Sequence, residues 1–198
     1  YTGGECRSER DAEQAHVILG FQGISQYSED NYPVKVLSQI LGGGMSSRLF
    51  QEIREKRGLV YSIYSYNMSF LDDGHFGIYA GTDPKSLTEL MPVLCDQLNS
   101  VRESISDSEL KRAKARLRAS MLKGEESVLR RNNAQASFLL THNEVLDIES
   151  RIKLLDAVST EDVLRVGRDI FSSNITLSGH GPLSHLERYD DLKARLAA

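Results

Sequence analysis

Leu41-Gly42-Gly43-Gly44-Met45-Ser46-Ser47-Arg48-Leu49-Phe50-Gln51-Glu52-Ile53-Arg54-Glu55-Lys56-Arg57-Gly58-Leu59-Val60-Tyr61-Ser62 is the stretch on which the reading of this chain turns. Three glycines end one helical pattern, and a shorter pattern with Met45, Leu49 and Ile53 at i, i+4 and i+8 follows. That spacing predicts a second amphipathic helix, capped by Ser46 or Ser47 and closed by Lys56, Arg57 and Gly58. Beyond Gly58 the chain turns to Val, Tyr, Ile and Ser with no helical period, which predicts a strand. Glycines let a backbone approach another chain closely and offer its amides to carbonyls or carboxylates. Arg54 falls in the last turn of the short helix, and Tyr61 follows seven positions later. A guanidinium and a phenol brought to one side can both donate to a peptide carbonyl, or to the oxyanion formed when that carbonyl is attacked. The same residues also fit a loop that merely turns the chain and a surface Arg/Tyr contact, so spacing alone leaves both readings open.

Working outward, His16-Val17-Ile18-Leu19-Gly20-Phe21 is an apolar, β-branched run that reads as a buried strand. Residues 29–41 carry Tyr32, Val36, Leu37, Ile40 and Leu41 at helical spacing, and Gly42-Gly43-Gly44 stops them. Asp72-Asp73-Gly74 turns the strand of residues 59–70 back into residues 75–81 as a hairpin. Thr82-Asp83-Pro84 opens a helix whose inner face is Leu87, Leu90, Met91, Leu94 and Leu98. Ser106-Asp107-Ser108-Glu109 is a capping box for a helix with Leu110, Ala113, Leu117 and Met121 inside. Helices follow over 128–143, 149–158 and after Ser159, then a late strand at 174–182 and a short terminal helix over 192–198. Strands separated by helices must share one sheet, so the fold class is α+β with helices on one face.

Length and composition suit one globular domain: 198 residues, 40% hydrophobic and 26% charged. A net charge of -4 gives no general pull toward nucleic acid or anionic lipid. No apolar run reaches the ~20 residues that span a bilayer. Cys6 and Cys95 form neither a metal pair nor a disulfide framework, which suits a reducing compartment and favours the cytoplasm. The chain opens on Tyr1-Thr2-Gly3-Gly4 and reads as a piece of something longer, with residues 1–12 as an extended linker from an upstream half. The histidines are His16, His75, His142, His180 and His185. None belongs to a His-x-x-Glu-His or His-Glu-x-x-His helix, so no metal site and no cofactor are expected in this chain. There is no Gly-x-Ser-x-Gly elbow, and the triple glycine is not followed by Gly-Lys-Ser/Thr.

The pattern Leu41-Gly42-Gly43-Gly44-x-Ser46-Ser47-Arg48-Leu49-Phe50, then Arg54 and Gly58-Leu59-x-Tyr61, closely resembles the C-terminal, zinc-free half of the M16 metallopeptidases, the family of pitrilysin, insulysin and the mitochondrial processing peptidase. The likeness extends to Gly3-Gly4-Glu5, Ala15-His16-Val17, Ala80-Gly81-Thr82 and Glu109-Leu110-x-x-Ala113-Lys114, and so covers nearly the whole chain. It implies an α+β domain of the LuxS/processing-peptidase metallohydrolase fold, facing a homologous half as a clamshell. The other half holds zinc through His-x-x-Glu-His and a distant glutamate, on the same polypeptide or on a separate subunit. This half would give Arg54 and Tyr61 to the carbonyl of a peptide substrate, with Gly42, Gly43 and Gly44 lining the chamber entrance. On this reading the chain cuts no peptide bonds alone, and it forms a homodimer when isolated.

Two rivals stand beside that expectation. One is a structural scaffold, resembling the core subunits of the respiratory bc1 complex, in which the chemistry is lost; Arg54 and Tyr61 argue against it. The other is a nucleic-acid-binding module through the basic helix 111–123, with Lys111, Arg112, Lys114, Arg116, Arg118 and Lys123. The absence of interleaved aromatic residues and the acidic net charge speak for a solvated helix face instead.

Overall fold

The computed structural model describes residues 1–197 and has the α+β architecture expected from the sequence. Its five-stranded sheet runs β1-β5-β2-β4-β3. The strands are β1 (Gly4–Glu9), β2 (Ala15–Gln22), β3 (Val60–Ser69), β4 (Gly74–Thr82) and β5 (Thr176–Gly181). β1 lies parallel to β5, and the other neighbours are antiparallel. β3 is therefore an edge strand, one hairpin away from the centre.

Alternation along β2 decides which face is covered. Ala15, Val17, Leu19 and Phe21 are buried, whereas His16 and Ile18 are half-exposed on the other side. Phe76, Ile78 and Ala80 of β4 and Leu177 of β5 extend the same buried face. The helices that cover it are α1 (Asn31–Gly42), beneath β3, and α6 (Thr160–Phe171), which packs on α1 and β2. Phe171 meets Phe21 and Phe76 edge to face, with ring centroids 5.0 and 5.6 Å apart. Next to them, α2 (Leu87–Glu103) packs on α6 and on α7 (Tyr189–Ala197), and α3 (Asp107–Glu125) with α5 (Ile148–Ala157) packs on α1. All five inner positions foreseen for α2 are buried. On α3 only Ala113 is fully buried, because that helix lies at the outside of the layer; Leu110, Leu117 and Met121 touch the core partly exposed. α4 (Val128–His142) buries none of its residues and rests on α3.

Two expectations need correction. Residues 1–12 are not a free linker, since 4–9 form the edge strand β1. Gly3 and Gly4 adopt positive φ, which lets the backbone come close enough for the Gly4 amide to reach the Ile175 carbonyl at 2.9 Å. Met45 is not part of the apolar stripe: it is 71% exposed, and only Leu49 and Ile53 are buried. A tight turn intervenes, in which the Ser47 amide and hydroxyl both bond the Gly44 carbonyl, at 2.9 and 2.5 Å. Ser47 thus spends its side chain on the turn rather than on capping, and the helix starts only at Arg48.

Candidate functional site

The helix that carries Arg54 is wider than an α-helix. Residues Phe50–Glu55 are π-helical, and the Lys56 amide bonds the Gln51 carbonyl five positions back. Gly58, with φ +64°, closes it: its amide bonds the Arg54 carbonyl and the Leu59 amide bonds the Ile53 carbonyl, at 3.1 and 3.0 Å. The two residues that lead into the strand are thus hydrogen-bonded to the backbone of Arg54 and Ile53. The Arg54 side chain is exposed and stacks over the Phe50 ring, its guanidinium carbon 4.9 Å from the centroid.

Tyr61 occupies a special place in β3. Val60 pairs with Thr82 and Ser62 with Gly81, so Tyr61 is one extra residue opposite no partner, a β-bulge. The bulge explains why Val60 and Ile63, three apart, are both buried, whereas an unbroken strand would bury residues two apart. It leaves the Tyr61 ring 56% exposed at the sheet edge. Neither the Tyr61 phenol nor the Arg54 guanidinium has a hydrogen-bond partner among the described residues. Both donors are therefore free, one at each end of the same Gly58 turn, and they do not bond each other.

The three glycines have separate structural tasks. Gly42 is buried in the last turn of α1, where an added Cβ would overlap the Ser65 backbone nitrogen of β3. Ser65 completes that contact by donating to the Ser38 carbonyl at 2.7 Å. Gly43 lies under the Gln39 side chain, whose amide donates to the Gly43 carbonyl at 2.9 Å. Gly44, at φ +146°, carries the Arg116 guanidinium against its Cα. All three are held by this chain's own elements, with Gly43 and Gly44 half-exposed and Gly42 inside.

Sequence reasoning missed the ion pair that anchors this turn to α3. Arg48 meets Glu109 through two bonds, Nε to Oε1 at 2.6 Å and Nη2 to Oε2 at 3.0 Å, and also donates to the Ser100 hydroxyl and the Ser104 carbonyl. The Ser106 amide and hydroxyl add further bonds to Glu109. Partial burial by itself would raise the Glu109 carboxyl, but these donors and the Arg48 charge outweigh it and hold the group down to about 2. Glu109 was legible as the capping-box residue of α3, which it is. Its second role depends on a residue 61 positions away, and no local spacing reports that.

Of the histidines, His16 and His180 stand opposite each other on β2 and β5. His16 bonds the Tyr79 hydroxyl at 2.8 Å on the open face of the sheet, His75 lies between Tyr66 and Phe70, and His142 stacks on Phe138. Among the described residues no three His, Cys, Asp or Glu side chains lie together as metal ligands would. The basic residues of α3 are partly engaged: Lys114 and Arg118 bond Asp156 of α5.

Residues 1–117 match the model of the Peptidase M16 inactive domain. An uncharacterized zinc protease of Streptomyces coelicolor is 41% identical over 175 residues, and YmxG of Bacillus subtilis, also called an uncharacterized zinc protease, is 35% identical over 181. Those matches take in 88% and 90% of this chain but only 38% and 44% of the relatives, so the chain spans well under half their length. Among solved structures, a chain of Complex III2 from Candida albicans superposes with a TM-score of 0.89 at 24% identity, over 98% of this chain and 49% of the other. A protease from Helicobacter pylori gives 0.83 at 23% identity, over 91% and 44%. These two likenesses speak for the fold.

Proposed function

The chain belongs to the M16 peptidase family as a domain of its inactive type, and from that premise we propose that it is the substrate-holding half of a zinc-dependent peptidase. The carrying observation is the pair of donors without hydrogen-bond partners among the described residues, Arg54 on the short helix and Tyr61 exposed on the edge strand β3, set at either end of one glycine-closed turn. Relatives named zinc proteases support a peptide as substrate and a zinc-bearing half as partner. Zinc held in that half would supply the attacking water. In this half Arg54 and Tyr61 donate to the carbonyl of the bound peptide and to the charge that grows on its oxygen, a role worth about 3 kcal/mol per donor in comparable sites. The turn that precedes Arg54, held by Gly42 against β3 and by Arg48 on Glu109, supports the helix that carries it.

The experiment is reconstitution. This chain is combined with a zinc-bearing half, taken from the same polypeptide or from a separate subunit, and cleavage of a peptide is followed with Arg54→Ala and Tyr61→Phe. A loss of about a hundredfold in kcat for either, with zinc content unchanged, is the expected result. Unaltered rates would remove both residues from the chemistry and return the domain to a scaffold role.

A further inference from the structure

Two histidines meet on the face of the sheet that no helix covers. His16 of β2 pairs directly with His180 of β5, and alternation puts both on the side opposite the buried Ala15, Val17 and Leu177. Directly opposed residues of an antiparallel pair hold their Cβ atoms about 4.5–5.5 Å apart. From there the far nitrogens of two imidazoles can converge on one ion, each about 2.0–2.1 Å from it. The His16 ring is already set for this. Its Nδ1 bonds the Tyr79 hydroxyl at 2.8 Å, on the β4 side of β2. Nε2 occupies the opposite flank of the same ring, so it is turned toward β5 and His180. With Nδ1 donating to the phenol oxygen, Nε2 keeps its lone pair for a ligand. His180 is exposed and has no hydrogen-bond partner among the described residues. Along the same row, Ser8 lies beyond His180 and Gly81 beyond His16, so nothing bulky flanks the pair. Neither ring has an ion-pair partner among the described residues.

We infer that His16 and His180 form a two-imidazole site for a divalent transition-metal ion of the zinc or nickel type, with water filling the remaining positions. Imidazole nitrogen suits such ions, whereas magnesium and calcium take oxygen ligands. Structural zinc sites close with four protein ligands, so a site with two binds more weakly and exchanges its ion. The ligands come from strands near opposite ends of the chain. Motifs that pair histidines within one helix therefore pass over a site assembled across a sheet. The inference does not depend on the peptide-holding reading, which uses neither histidine.

Titration calorimetry of the untagged chain with Zn²⁺, Ni²⁺ and Mg²⁺ tests it, together with the imidazole signals in NMR spectra. One ion per chain is expected for zinc and for nickel, and no binding for magnesium. His16→Ala and His180→Ala, each checked for fold by circular dichroism, should weaken zinc binding about tenfold or more, because a single imidazole has lost its chelate partner. Tyr79→Phe should weaken it less, by freeing the His16 ring to turn, and His185→Ala should leave it unchanged. In the unaltered chain, paramagnetic Ni²⁺ should broaden the His16 and His180 signals before those of the other histidines, a readout that needs no variant to fold. Zinc binding that survives both single substitutions, or that falls equally with His185→Ala, would place the ion elsewhere and overturn the assignment. Equal broadening of all five imidazoles, as for unpaired surface histidines, would overturn it as well. So would the absence of any saturable zinc binding.

Discussion

Replacing Glu109 with Gln isolates the contribution of the Arg48–Glu109 pair to the stability of the site. The carboxyl falls from its ordinary value of 4.5 to about 2 in the folded chain. At 1.36 kcal/mol per decade of acidity that gap corresponds to roughly 3 kcal/mol, and screening of a pair that is partly open to water lowers it to about 2 kcal/mol. The sign follows from linkage. A carboxyl that is more acidic when folded stabilises the fold above its unfolded value, and that stabilisation is lost as pH falls through its folded one. Full benefit is therefore expected above about pH 4.5, with loss down to about pH 2. Urea denaturation of both forms across this range is the assay. Glu109→Gln should cost about 2 kcal/mol near neutrality, and the difference should shrink steadily below pH 4.5. Parallel stability curves with a constant offset would refute the ion pair as the cause, because glutamine can keep the capping bond from the Ser106 amide while carrying no charge.

Other outcomes follow from single contacts. Gly42→Ala should destabilise by about 1–3 kcal/mol in thermal unfolding, because the new methyl must displace the β3 backbone at Ser65; a neutral result would mean α1 is not seated there. Burial, the largest influence, pushes the Cys95 thiol up to about 12, whereas Cys6 is exposed on β1. A thiol reagent near neutral pH should therefore label Cys6 within minutes and Cys95 only after unfolding; two fast sites would contradict the packing of α2.

Much of this fold is readable locally. β2, α1 and the inner face of α2 announce themselves by period, and the Ser106 and Ser159 capping boxes mark the starts of α3 and α6. What local patterns miss is whatever depends on distant partners. β1 is mostly exposed and polar, and it is a strand because β5, whose Thr176 pairs with Gly4, offers it an edge. The bulge at Tyr61 shows in sequence only as the three-residue step between Val60 and Ile63, and that clue becomes meaningful once Gly81 and Thr82 supply the register. Arg54 and Tyr61 were visible as residues of a motif. That neither side chain has a hydrogen-bond partner among the described residues, Arg54 only stacking over Phe50, is a property of the folded chain.

The central claim is tested most directly by single-turnover cleavage in the reconstituted two-half enzyme, comparing unaltered protein with Arg54→Ala, Tyr61→Phe and the double variant. The account predicts that each single change slows the chemical step about a hundredfold, and that the double change costs less than the product of the two, since both donors serve one oxygen. A normal rate of bond cleavage in the double variant, with the two halves still associated, would contradict it.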